Sequence, residues 1–239
     1  MFSEGVIKSA QQHAIDSYPR ESCGLVVAGS YIACENVAAD PTKTFVIADA
    51  VSLEYAGRIQ GVLHSHCNGP PWPSSSDMRQ QIATNVPWGV IATDGIQAWG
   101  PWWWGDQVPI APLIGREFRH GITDCFALGR DWFRLVKGIT IRDQPRDWNW
   151  WFTGQNLYLD GFKERGFKEI SVGELRVGDA ILFHIRMPGT PKGVPRFPNH
   201  CGIYTGNGQI LHHLVDRLSR HDSVGPWISH RTNCLRYVG

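Results

Sequence analysis

HSHCNGPPWPSSSD, residues 64–77, is the stretch on which the reading of the first half turns. The run GVLHSH (61–66) predicts a strand, and NGPPWPSSS after it is turn chemistry throughout. Side chains two apart on a strand point the same way. His64 and His66 can therefore reach one ion at ~2.0–2.1 Å, the usual zinc–nitrogen distance. Asp77, at the start of the next predicted helix (DMRQQIATN), adds an oxygen. Three protein ligands leave a fourth position for water, which is the catalytic pattern. Zinc would lower the pKa of that water to about 7. Glu21, just before the apolar run CGLVVA (23–28), is the candidate general base. Cys67, beside His66, is an alternative ligand. A His-x-His pair alone is an ordinary surface or core feature. The weight lies on the full order: Glu-Ser-Cys-Gly, His-x-His, seven residues, Ser74, two residues, Asp77.

That order resembles the JAMM metalloisopeptidases, the catalytic form of the MPN domain. ESCGL (21–25) is similar to the family's glutamate segment, and His64, His66, Ser74 and Asp77 match its metal motif. The resemblance implies that His64, His66 and Asp77 hold Zn2+, that Glu21 takes the proton of the bound water, and that Ser74 hydrogen-bonds the tetrahedral oxyanion. It covers residues 1–105. Around the motif, Phe2, Val6, Ala10 and Ala14 recur at helical spacing. Residues 49–60 read as a helix that Asp49 caps, and WGVIAT (88–93) as a strand.

A proline-bearing stretch without period, residues 106–112, reads as a linker. Beyond it lies GITDCFALGRDWF (121–133). A helix is expected from Asp124 to Val136 with Leu128, Trp132, Leu135 and Val136 on one face. Cys125 sits in its first turn, where the partial positive charge favours a thiolate. Such a nucleophile needs a base, and His200, His212 and His213 are the candidates. NHCGIYTGNGQILHH (199–213) reads as a hairpin around residues 206–208. A three-residue loop puts His212 on the face of His200; a two-residue Asn-Gly turn puts His213 there. Spacing alone leaves both open.

This half resembles the NlpC-type cysteine peptidases, papain-like enzymes that cut cell-wall peptides. The matching residues are Asp124-Cys125, Gly178-Asp179 before AILFHI, then His200, Gly-Ile-Tyr, Gly-Asn-Gly and His212. The resemblance implies that Cys125 is the nucleophile, His200 the base and His212 the residue that orients it. The chain departs from the family in four places, one of them Ala180 after Gly178-Asp179. Phe126-Ala127 stands where Ser-Gly is usual, Cys201 where an aliphatic residue is usual, and a Trp-rich stretch surrounds residues 148–151.

The chain has 239 residues, 42% of them hydrophobic, with a formal net charge of +1 and no charge run. Nothing points to a nucleic-acid groove, and no apolar segment is long enough to span a bilayer. The polar start reads as an amphipathic helix, not a signal peptide, so synthesis in a host cytoplasm is expected. The six cysteines form no CxxC pair and read as free thiols. The fold expected is α+β in two domains: an N-terminal JAMM-like α/β zinc domain (1–105) and a C-terminal papain-like NlpC-type domain (113–239).

The order of the two motifs resembles a family of tail-tip proteins of lambda-like tailed phages. That resemblance implies other tail-tip proteins and peptidoglycan peptides as partners, and a place in the virion tail tip with action at the host wall. A catalytically silent docking component of the tail tip is the alternative. A cellular wall-remodelling enzyme is a third reading, and it would call for an export signal or lipid anchor.

Overall fold

Val6, Ala10 and Ala14 form the buried stripe of α1 (Glu4–Ser17), whose first turn is capped by Ser3. In the computed structural model, which describes residues 1–239, the chain divides into two units, Met1–Pro109 and Ile110–Gly239. The first holds β1 (Cys23–Val27), β2 (Ser30–Cys34), α2 (Asp49–Glu54), β3 (Ile59–Cys67), α3 (Ser75–Thr84), β4 (Trp88–Thr93) and β5 (Ala98–Trp104). Its sheet runs β2-β1-β3-β4-β5. The β3–β4 pair is parallel, with α3 as its crossover, and the other pairs are antiparallel. The α1 stripe packs on Val26, Leu63 and Ile91, the centre of this core. Central β1 is buried along its whole length, as a near-continuous apolar run requires.

Two local expectations change. The helix at 49 is short: it ends at Glu54, and Gly57 follows with a φ of 71°. Asp49 is its first helical residue and not its cap, because Ala48 occupies that position with no side-chain bond.

The second unit holds α4 (Cys125–Trp132), then β6 (Phe167–Ile170), β7 (Ala180–Phe183), β8 (His200–Gly206), β9 (Gln209–His212), β10 (Arg220–Ser223) and β11 (Arg231–Tyr237). All six strands pair antiparallel in the order β10-β9-β8-β7-β11-β6. A helix laid against an antiparallel sheet makes this unit α+β, as expected. Leu128 and Trp132 of α4 pack on Ile203 and Leu211. Past Trp132 the helix widens into a π-type turn, Phe133–Lys137. A π turn winds less per residue than an α turn, so Leu135 and Val136 fall off the core-facing stripe. They are 57% and 53% exposed, and Phe133 takes the buried place instead.

The Gly178-Asp179 turn has a plain cause. Gly178 has a φ of +97°, and a Cβ there would meet Trp132 at 2.8 Å. Asp179 accepts from Arg236 Nε and Nη2 at 2.9 and 2.7 Å and so ties the turn into β7 to strand β11.

Candidate functional site

The end of β3 and the start of α3 bring three donors together in the first unit. His64 Nε2 and His66 Nε2 lie 3.1 Å apart. Each is 3.6 Å from Asp77 Oδ2. Four ligands around zinc at ~2.0–2.1 Å are separated by about 3.3–3.4 Å. The three donors therefore already stand close to three corners of such a tetrahedron. His66 Nδ1 donates to the Pro70 carbonyl at 2.9 Å, which leaves Nε2 as the lone-pair nitrogen. His64 is fully buried against Phe45 at a ring distance of 4.7 Å, and its Nδ1 has no partner. Burial pushes the Asp77 carboxyl up, but His64 and His66 outweigh it and hold it well below the usual range. Burial also holds His64 neutral. Burial lowers His66 as well, but Asp77 and the Pro70 carbonyl outweigh it and raise this histidine, so a cation would displace a proton there. An ionised carboxylate beside two imidazoles is the donor set that a borderline cation such as Zn2+ takes.

Glu21 is buried next to this cluster. Burial raises its carboxyl to about 7, with the His66 charge acting against the rise. Ser74 caps α3: its hydroxyl donates to Asp77 Oδ2 at 2.6 Å and accepts from the Asp77 amide at 3.2 Å. In this arrangement Ser74 aims the Asp77 carboxylate, and an oxyanion would have to compete for its proton. Cys67 points away from the donors and donates to the Arg20 carbonyl at 3.3 Å. It is not among the three clustered ligands.

In the second unit, Asp124 caps the helix that begins at Cys125, accepting from Ala127 N at 2.9 Å. The Cys125 thiol is held well below its ordinary value, chiefly by hydrogen bonding to Cys201, then by the hydrogen bond and charge of His200. His200 Nε2 meets His212 Nδ1 at 3.0 Å. His212 Nε2 donates to Asp222 Oδ2 at 3.0 Å. The ring of Trp227 lies 4.9 Å from that of His212 and covers the pair.

The hairpin register falls between the two expected alternatives. The turn is the two-residue one, with Gly206 facing Gln209, but an irregularity between Tyr204 and Gly206 shifts the pairing back. Gly202 therefore faces His212, and His200 shares a face with His212. His213 is spent elsewhere, its ring nitrogens bonded to the carbonyls of Thr123 and Arg217.

Tyr158, Arg146 and Asp222 carried no signal in the sequence, and Cys201 stood out there only as a departure from the family pattern. Tyr158 places its hydroxyl 3.3 Å from both Cys125 Sγ and Cys201 Sγ. Cys201 Sγ also reaches the Cys125 carbonyl at 3.2 Å. Arg146 holds Asp124 with two nitrogens. Asp222 follows the hairpin with only the spacing from His212 to mark it. A cavity of about 430 Å³ opens beside Cys125, walled in part by Trp150, Trp151 and Trp227.

A thiol at a helix start, backed by a buried histidine pair on a sheet, is the arrangement that papain-like cysteine peptidases use. The comparisons agree. The NlpC/P60 family model matches residues 115–236, and the model for prokaryotic homologs of the JAB domain matches residues 3–104. The chain is 33% identical over 187 residues to tail tip assembly protein K of Escherichia phage lambda, covering 78% of this chain and 85% of that one. It is 31% identical over 245 residues to tail tip assembly protein K of Escherichia phage N15, covering 97% and 93%. A solved NLP/P60 family lipoprotein-like structure from Staphylococcus aureus is 18% identical with a TM-score of 0.37, covering 53% of this chain and 38% of that one. The chain belongs to the tail tip assembly protein K family, which joins a JAB-type domain to an NlpC/P60 domain. No helix is long and apolar enough to cross a membrane.

Proposed function

We propose that this chain is a phage tail-tip peptidase that cuts peptidoglycan peptides with Cys125, during tail assembly or genome entry. The observation that carries the proposal is the chain from buried His200 through buried His212 to half-buried Asp222 behind a low-pKa thiol at a helix start. In the reaction, Cys125 Sγ attacks the amide carbon and forms a tetrahedral adduct. The adduct collapses to a thioester as protonated His200 gives its proton to the leaving amine. Water then attacks the thioester, His200 takes the water's proton, and the acid product leaves with the thiolate restored. Tyr158, whose hydroxyl is kept protonated by burial and by Cys125, is a proton donor at the place where charge develops.

The cavity supports a wall-peptide substrate. Its charged lining is Asp124, Arg146, Arg186 and Arg217. Arg146 neutralises Asp124. The two remaining guanidiniums favour a peptide bearing carboxylates, and the tryptophans favour its apolar parts.

For the first unit we propose a Zn2+ site held by His64, His66 and Asp77. Zinc would supply Lewis acidity and an activated water. Glu21, raised to about 7, is poised to take a proton near neutral pH. The substrate there would be an amide or isopeptide, in a tail protein or a wall cross-link. Other tail-tip proteins are the partners the family relation supports.

Incubation of the purified protein with peptidoglycan, with either a thiol alkylator or a zinc chelator added, tests the reading. The alkylator alone should abolish muropeptide release. Loss with the chelator alone would move wall cleavage to the first unit, and no release from folded protein would favour a docking role.

A further inference from the structure

We propose that Asp222 is a positioning residue of the thiol site, acting through His212 to set the tautomer of His200 and to stabilise its charged form. The proposal rests on the reading of Cys125 as an activated nucleophile. Strand β10 pairs with β9 so that Arg220 faces His212. Asp222, two residues on, shares that face. Its Oδ2 accepts from His212 Nε2 at 3.0 Å and from Arg220 Nη2 at 3.0 Å, while its Oδ1 faces Arg220 Nε at 2.9 Å. The carboxylate is thus gripped by a fork on one side and aims its other lone pairs at the imidazole.

The hydrogen-bond chain then has one consistent direction. A carboxylate only accepts, so His212 Nε2 carries a proton. A neutral His212 therefore presents Nδ1 as a lone pair, which accepts from His200 Nε2–H at 3.0 Å. That bond leaves His200 Nδ1 free to take the Cys125 proton. Without Asp222, His212 can adopt its other tautomer, donate from Nδ1, and force His200 to carry its proton on Nδ1, where it cannot act as a base. The Asp222 charge also favours the imidazolium formed when Cys125 ionises. The imidazoles it acts on are buried, His200 and His212 being 4% and 2% exposed with the Trp227 ring over both, while the Asp222 carboxylate itself is 22% exposed. The other charged or titratable groups facing the chain are Cys125, Asp124, Tyr158 and Cys201 on the thiol side and Arg220 on the strand side.

The test follows alkylation of Cys125 by iodoacetamide against pH, read on the Cys125 peptide by mass spectrometry to separate it from the other five thiols. It uses the full chain and needs no substrate. Asp222→Asn keeps the shape of the side chain, and Asp222→Ala removes the acceptor altogether. Each should move the midpoint of Cys125 alkylation up by about one pH unit, roughly a tenfold loss of thiolate below both midpoints. The melting temperature of each variant, measured in parallel, shows that the shift belongs to folded protein. Folded variants that superimpose on the wild-type curve would overturn the role of Asp222 and leave Cys125 as the nucleophile. A wild-type Cys125 that ionises like an ordinary thiol would overturn the nucleophile reading itself, and Asp222 with it.

Discussion

Arg146 grips Asp124, the residue that caps the helix beginning at Cys125, through Nε to Oδ2 at 2.9 Å and Nη2 to Oδ1 and Oδ2 at 2.9 and 2.8 Å. Both side chains are 4% exposed. Burial pushes the Asp124 carboxyl up, yet Arg146 and then His120 hold it down to about 2. The pair ties the irregular segment that carries Arg146 to the first turn of α4, beside Cys125. Arg146→Ala would leave a buried carboxylate unpaired, which costs about 3–5 kcal/mol. Denaturant unfolding should show a loss of that size. A change below about 1 kcal/mol would mean that water or His120 replaces the guanidinium.

Stability should fall with acid in two steps. Burial lowers His212 to about 4 from an ordinary value near 6.5. The unfolded chain then binds more protons than the folded one between those values, so stability falls as pH drops from 6.5 towards 4. The loss from His212 is roughly 3 kcal/mol if the full shift is realised. In the second unit His213 is lowered too and adds in the same sense; in the first unit Glu21, raised to about 7, acts in the opposite sense between 7 and 4.5 and offsets the lowered His64. Asp124, held down to about 2 from 3.8, contributes stability that is lost over that lower window. Unfolding of the second unit, followed at pH 7, 5 and 3.5, checks this, and a flat profile for that unit down to pH 4 would contradict it.

The first unit should take up one zinc per chain. His66→Ala and Asp77→Ala should each abolish stoichiometric binding, measured by metal analysis after dialysis. Cys67→Ala should leave it intact, because Cys67 faces away from the donors. Saturating zinc at a hundredfold excess over its dissociation constant should stabilise the wild-type unit by about 2.7 kcal/mol. A chelator-insensitive melting temperature in metal-loaded protein would contradict the assignment.

Legibility in the sequence followed the range of the signal. His64, His66 and Asp77 are close in sequence; strand period puts the two histidines on one face, and the motif order and its family resemblance brought in Asp77. The helical period placed Cys125 in a first turn, and its singling out rested on the family resemblance of Asp124-Cys125. The hairpin was not legible, because a single irregularity near Thr205 decides which histidine faces His200, and β-bulges leave little trace in composition. Tyr158, Arg146 and Asp222 reach the thiol site from segments without period, through contacts spanning 33, 22 and 10 residues. Leu135 and Val136 misled because a π turn breaks the 3.6-residue period on which their placement rested.

The central claim is that Cys125 breaks the peptide bond. A soluble stem peptide of peptidoglycan, incubated with wild-type protein and with Cys125→Ala, tests it most directly when new amino termini are counted by mass spectrometry. The account predicts cleavage by the wild type and a rate at background for Cys125→Ala, with both proteins melting at similar temperatures. Cleavage at the wild-type rate by folded Cys125→Ala would contradict it.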